Sequence, residues 1–336
     1  MSYLQQPLTT GRLALKNRLV MPPMATSKAE PDGRVSEALL DYYDEKSHGG
    51  AIGLVIIEHN FIARQGQNRI GQPSVADDTM IEGLARLAAV IHANGSKTAL
   101  QINHVGGAPG EAIPGVERVA PSDRQDRTDP DIRVAREMTL DEIAAIPALF
   151  AAAARRAKAA GFDGVELHSA HGYLLNQFFS PLTNRRTDEY GGDVRGRIRL
   201  HLEVIPAVRE AVGADFPILL RLGAADYLEG GSRLEDSVFA AAAFESAGID
   251  MIDITGGLSG YIRPGHSEPG YFAELSEPIK KAVSMPVILT GGVTEPEHAE
   301  ELLAAGVADL IGVGRAILKD SGWARRAVSE LGAESV

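Results

Sequence analysis

Two imidazoles and a phenol fall within six residues at His168-Ser-Ala-His171-Gly-Tyr173. Two histidine N–H groups can donate to one carbonyl oxygen. They would stabilise the enolate-like charge that develops as hydride adds to the β-carbon of a conjugated alkene. A tyrosine hydroxyl beside them can protonate the α-carbon. Ordinary rim residues hydrogen-bonded to backbone would share this spacing, so the residue types leave both readings open. A metal centre fits less well. His-x-x-His supplies two ligands where zinc takes three or four, and no metal is expected.

A second group sits near the C-terminus, where Gly291-Gly292 and Gly314-Arg315 each follow a short apolar run. Glycines let backbone N–H groups approach a phosphate, a following helix start favours the anion, and arginine pairs with it bidentately. The pattern marks a phosphate site without saying which phosphate. Arg221 ends another apolar run. A lone arginine more often makes a salt bridge at a core rim, but the end of a barrel strand weighs toward function.

These residues need a scaffold, and the hydrophobic pattern supplies one. Apolar runs at 18–23, 52–58, 97–101, 162–168, 217–221, 249–254, 286–290 and 309–313 alternate with helical patterns. Most runs are continuous, as in a parallel sheet buried on both faces. Eight such units favour an α/β fold of the (β/α)8 TIM-barrel type, and no Gly-x-Gly-x-x-Gly follows the first run. The expectation is one domain over 1–336. Thr139-Leu-Asp-Glu142 reads as a capping box opening a helix to about Ala160, with Gly161 as its stop. A second helix over 195–212 would bury Ile198, Leu202, Ile205 and Val212. Pro147 and Pro206 should kink these helices or delay their starts. Residues 1–17 suggest a β-hairpin under the barrel, turning at Thr10-Gly11. Residues 105–138 suggest a long polar cap after strand 3, on the face where barrel active sites sit.

Composition narrows the function classes. The chain has 336 residues, 44% hydrophobic and 23% charged, with a net charge of −12 and no basic stripe, which argues against nucleic-acid binding. It has no cysteine, which excludes disulfides, thiolate nucleophiles and iron–sulfur clusters in this chain. Gln5, Gln6, Thr9, Thr10 and Arg12 interrupt any signal-peptide core, and no run approaches a membrane span. A cytoplasmic location is expected.

The block from His168 to Gly192 resembles the signature of the old yellow enzyme family, in its bacterial branch with two histidines. Leu15-Lys-Asn-Arg-Leu-Val-Met-Pro-Pro-Met24, Gly95-Ser-Lys-Thr-Ala-Leu-Gln-Ile-Asn-His104, Ala160-Gly-Phe-Asp-Gly-Val-Glu-Leu-His168, Leu289-Thr-Gly-Gly292 and Ala308-Asp-Leu-Ile-Gly-Val-Gly-Arg315 resemble its other motifs, in order. The resemblance implies bound FMN, NADH or NADPH as hydride donor, and ping-pong reduction of an electron-poor alkene. It implies that Gln101 meets the flavin pyrimidine edge and that Arg221 sits beside flavin N1 and O2. Pro23, Met24 and Ala25 would line the flavin. Gly291, Gly292, Gly314 and Arg315 would hold its phosphate. His168 and His171 would bind the activating group of the substrate, and Tyr173 would donate the proton. The expected partner is a small electron-poor alkene, with a homo-oligomer allowed and no nucleic acid or membrane.

The chain departs from the family pattern in places. Ala25 stands where the family usually has Thr or Cys, so one hydrogen bond to the flavin would be lost and its potential lowered. Thr26 is adjacent. His59 replaces a small residue and is expected to point away from the cofactor. His104-Val-Gly-Gly107 lacks the arginine that often ends this motif. The chain stops after its eighth unit, so relatives with iron–sulfur and extra dinucleotide domains are not the expected template. Two other readings are a flavin-binding barrel with weak turnover, acting as a flavin reductase or sensor, and a phosphate-binding lyase or isomerase. The last is disfavoured because strand 6 ends Asp253-Ile-Thr255, without the lysine a Schiff-base aldolase needs.

Overall fold

A computed structural model describes residues 2–125 and 133–333. Its eight central strands are β1 (Leu19–Met21), β2 (Leu54–Phe61), β3 (Lys97–Asn103), β4 (Gly164–Ser169), β5 (Ile218–Gly223), β6 (Met251–Thr255), β7 (Val287–Thr290) and β8 (Leu310–Gly312). Each pairs in parallel with its sequence neighbours, and β8 pairs with β1 to close the barrel. Every residue of these strands is buried except Lys97 and Thr290, which explains the continuous apolar runs.

The principal outer helices are α1 (Glu37–Ser47), α2 (Ile81–Ala93), α3 (Leu140–Ala159), α4 (Arg199–Val212), α5 (Leu234–Ala247), α6 (Ala273–Ala282), α7 (Pro296–Ala304) and α8 (Trp323–Ala333). The capping box of α3 forms as expected: Thr139 Oγ1 accepts from Glu142 N at 3.2 Å, and Thr139 N donates to Glu142 Oε2 at 2.8 Å. Gly161 follows with φ +86°, a conformation glycine adopts without strain. Helices α3 and α4 continue through Pro147 and Pro206. The expected 195–212 helix is interrupted at Ile198 (φ −91°, ψ −2°), between a short Val194–Arg197 helical turn and α4. The face α4 buries is Leu200, His201, Val204, Ile205, Val208 and Val212, with Leu202 only half-buried.

The N-terminal hairpin pairs Leu8–Thr9 with Ala14–Leu15. Its Leu13 and Leu15 pack against the inward residues Val20, Leu54, Ala99, Leu219, Met251 and Ile288. That makes an apolar plug in the lower barrel. The cap after β3 includes short strands at Val119–Ala120, Arg124–Gln125 and Arg133–Glu137; residues 126–132 of it lie outside the described residues.

Candidate active site

Strand residues two apart share a face. Moving up the inner face from the plug, the barrel interior changes from apolar to charged. Ala99 gives way to Gln101 on β3, Leu219 to Arg221 on β5, Met251 to Asp253 on β6, and Ile288 to Thr290 on β7. Glu166 on β4 stands beside Gln101 in register. Gln101 Nε2 donates to Glu166 Oε1 at 2.8 Å, and Thr290 Oγ1 donates to Asp253 Oδ1 at 3.1 Å. Arg221 Nε lies 3.1 Å from Asp253 Oδ2. The angle is poor for a hydrogen bond, so both atoms are ion-paired yet lack a hydrogen-bond partner. Two carboxylates therefore face one guanidinium. Burial, then repulsion from Asp253, pushes Glu166 up to about 8 despite Arg221 and Gln101. Asp253 is raised too, chiefly by burial. Both shifts favour a proton held within this layer.

The rim lies above this layer. His168 follows Glu166 on the same face of β4 and is 2% exposed. The chain then turns sharply. His171 and Gly172 have φ +57° and +73°, the first unusual for a residue with a side chain. Asn176 Oδ1 accepts from Gly172 N at 2.8 Å, and Gln177 Nε2 donates to Gly172 O at 2.6 Å. The turn brings the three expected residues together. The His168 ring centre lies 5.1 Å from that of His171 and 4.9 Å from that of Tyr173. His171 Nε2 is 3.1 Å from Thr255 Oγ1, while His168 Nδ1 is buried without a partner.

Burial, with Arg221 and the neighbouring histidines adding to it, holds both imidazoles well below their usual range. They are neutral donors at pH 7. Burial also raises the Tyr173 phenol, opposed by Arg69, Asn68 and Arg118, so it stays protonated. Asn68 Nδ2 donates to Tyr173 Oη at 3.3 Å. These supporting residues come from the long segment after β2 and the cap, and no sequence pattern singled them out.

His59, expected to point away from the cofactor, stands at the rim beside the candidate substrate-binding side chains. Its ring lies 5.2 Å from Tyr173 and 6.2 Å from His168. The cause is a β-bulge: Ile57 and Asn60 of β2 pair with Leu100 and Ile102 of β3, leaving one extra residue that re-aims the side chain. Burial, followed by Arg69 and Arg221, lowers His59 to about 3.

Beyond β1, Pro23 and Met24 are half-buried and Ala25 is exposed. Arg221 reaches back to Pro23 O, at 3.5 Å from Nη1. The Thr26 hydroxyl donates to Glu58 Oε1 at 2.6 Å, so it does not supply the donor that Ala25 lacks. Strands β7 and β8 pair Thr290 with Gly312 and so bring Gly291, Gly292, Gly314 and Arg315 to one end of the barrel. Arg315 Nη2 lies 3.3 Å from Tyr271 Oη. Tyr271 is buried at this end, whereas Tyr261 is 61% exposed with its ring 6.2 Å from His171.

Residues 3–334 match the model of the NADH:flavin oxidoreductase / NADH oxidase family. The chain belongs to this family. It is 42% identical over 326 residues to an NADH oxidase of Thermoanaerobacter brockii, covering 94% of this chain and 49% of that protein. The chain thus spans about half the length of that relative. An NADPH dehydrogenase of Clostridium acetobutylicum is 38% identical over 314 residues, 93% of this chain and 90% of the relative. Among solved structures, the old yellow enzyme homologue of Zymomonas mobilis superposes with a TM-score of 0.85 at 28% identity, covering 97% of this chain and 92% of that one.

Family membership implies FMN as cofactor, and the donor set is compatible with FMN. Asn103, two residues beyond Gln101 on the same face, is buried with neither amide atom bonded. Gln101 keeps an oxygen acceptor and a second N–H. At the phosphate end, Gly292 has φ +72°, and a Cβ there would lie 2.4 Å from Glu268 O. A Cβ at Gly314 would lie 3.2 Å from Met24 Sδ. No carboxylate among the described residues stands within ion-pair distance of Arg315, which leaves its charge for an anion.

Proposed function

We propose that this chain is an FMN-dependent NAD(P)H oxidoreductase that reduces activated C=C bonds. One observation carries the reading: two neutral imidazoles and a protonated phenol converge above a barrel layer that holds a permanent cation. Bound FMN would accept hydride from NADH or NADPH and deliver it to the alkene β-carbon. His168 and His171 would donate to the carbonyl or nitro oxygen of the alkene. Because they are neutral, they polarise it without placing a full charge in a buried site. Tyr173 would give its hydroxyl proton to the α-carbon, and Arg69 and Arg118 would favour the resulting phenolate. Gln101, Asn103 and Arg221 would hold the flavin edge. Pro23, Met24 and Ala25 would line the flavin. Gly291, Gly292, Gly314 and Arg315 would take the phosphate. Arg221 would favour the reduced, anionic cofactor, while Ala25 would lower its potential relative to relatives with a donor there.

The test is product analysis of the FMN-loaded protein with NADPH or NADH and 2-cyclohexenone in D2O. The expected product is cyclohexanone with solvent deuterium at the α-carbon. Oxidation of the nicotinamide without any saturated ketone would overturn alkene reduction and favour a flavin reductase.

A further inference from the structure

The rim tyrosine has a cationic neighbour with no carboxylate of its own. Arg69 is half-buried and directly follows Asn68, whose Nδ2 donates to the Tyr173 hydroxyl at 3.3 Å, and its charge acts on that phenol. Behind it, Arg118 spends its guanidinium on backbone carbonyls. Nη1 donates to Gln67 O at 2.8 Å, and Nη2 donates to Glu111 O at 2.9 Å and Asn68 O at 3.3 Å. Among the described residues, no carboxylate lies within ion-pair distance of either guanidinium. Glu58 feels the Arg69 charge, but its oxygens are turned to the Thr26 hydroxyl and N–H. A half-buried cation without a counter-ion favours an incoming anion.

The backbone around Arg69 is tied down by side chains. Its carbonyl accepts from Gln67 Nε2 at 2.9 Å, and the next N–H, that of Ile70, donates to Glu111 Oε2 at 2.8 Å. A second polar group stands beside Tyr173 without a partner: His59 Nε2, on a ring that is 6% exposed. As the Nε2–H tautomer it offers a further N–H donor.

We infer that Arg69 and His59 form an anion subsite, and that the preferred alkene carries a carboxylate one or two bonds from the carbon that Tyr173 protonates. This rests on the alkene-reduction reading above. The phosphates of the nicotinamide donor are a less apt occupant. They are a ribose removed from the reacting ring, whereas Arg69 adjoins the hydroxyl that serves the reacting carbon.

The experiment compares (E)-4-oxo-2-pentenoate with its methyl ester on the FMN-loaded protein, in wild type, Arg69→Gln and Arg69→Lys. The expected result is that the ratio of kcat/KM for acid over ester falls by about tenfold or more in Arg69→Gln. Arg69→Lys should restore part of it. A ratio unchanged in Arg69→Gln, with the ester still reduced, would overturn the subsite and leave alkene reduction standing. A rise confined to the NADPH concentration needed for cofactor reduction would also overturn it, by assigning the cation to the donor phosphate. If neither alkene is reduced, alkene reduction itself fails. Calorimetric binding of unreactive 4-oxopentanoate then decides the subsite: binding weakened by Arg69→Gln supports it, and no binding, or equal binding in both proteins, overturns it.

Discussion

The two ends of the barrel treat their charges in opposite ways. At the N-terminal end, Asp163, Asp250 and Asp309 stand just before β4, β6 and β8. Each accepts from a backbone N–H in the preceding strand: Thr98 at 2.9 Å, Ile218 at 2.8 Å and Val287 at 3.0 Å. Each also pairs with a cation: Lys97, Arg209 and Lys280 respectively. At the C-terminal end, buried polar atoms lack hydrogen-bond partners on His59, Asn103, Glu166, His168, Arg221 and Asp253, the last two still ion-paired with each other, whereas at the N-terminal end of β1 Arg18 Nε is also without one. Buried groups without partners cost stability, so their concentration at one end is a mark of function. The shallow cleft at the other end, lined by Arg12, Asp250, Lys280 and Asp309, is closed electrostatically by its own ion pairs.

If this division is correct, changes at the top should cost activity and changes at the bottom should cost stability. Tyr173→Phe should slow alkene reduction by roughly 10²–10⁴-fold. Cofactor reduction by nicotinamide should stay within a few-fold, as read by stopped-flow of each half-reaction. Equal losses in both would break the comparison. Asp250→Ala should cost about 1–3 kcal/mol in denaturant unfolding, because it strands the Ile218 N–H and two arginines, with turnover per folded molecule unchanged.

Glu166→Gln sharpens the comparison through pH. The folded value of Glu166 is raised from 4.5 to about 8, so the native state binds the proton more tightly than the unfolded chain. Its contribution is fully present below 4.5 and is lost as pH rises through about 8. Wild type should therefore lose stability relative to Glu166→Gln across that window, and the gap should level off above it. Parallel curves would show that the layer holds no proton. The smallest expected effect is none. With His168 and His171 neutral, the alkene half-reaction should show no histidine inflection between about pH 6 and about pH 8. An inflection near the ordinary histidine value would contradict neutral donors.

Much of this was legible in the sequence because burial and periodicity fix it. The strand runs, the Thr139–Glu142 box and the hairpin turn lie within a residue or two of their observed places, except that β2 continues to Phe61, three residues past the expected end. His168, His171 and Tyr173 come together because the positive-φ turn is encoded beside them by Gly172, Asn176 and Gln177. The place of His59 beside Tyr173 is not legible, because a bulge shifts strand alternation without a local residue signature. Asn68 and Arg69 were missed because they reach Tyr173 only through the closed barrel. Glu166 and Asp253 did leave a signal, since a carboxylate inside a buried apolar strand needs a reason. That reason, one guanidinium shared across β4, β5 and β6, is visible only in register.

The most direct test of the central claim is the anaerobic visible spectrum of the purified protein before NADPH or NADH, after it, and after an added enone. The account predicts flavin bands that bleach with the nicotinamide and return with the enone. A protein that carries no flavin and takes up no added FMN, or bands that bleach and never return, would contradict it.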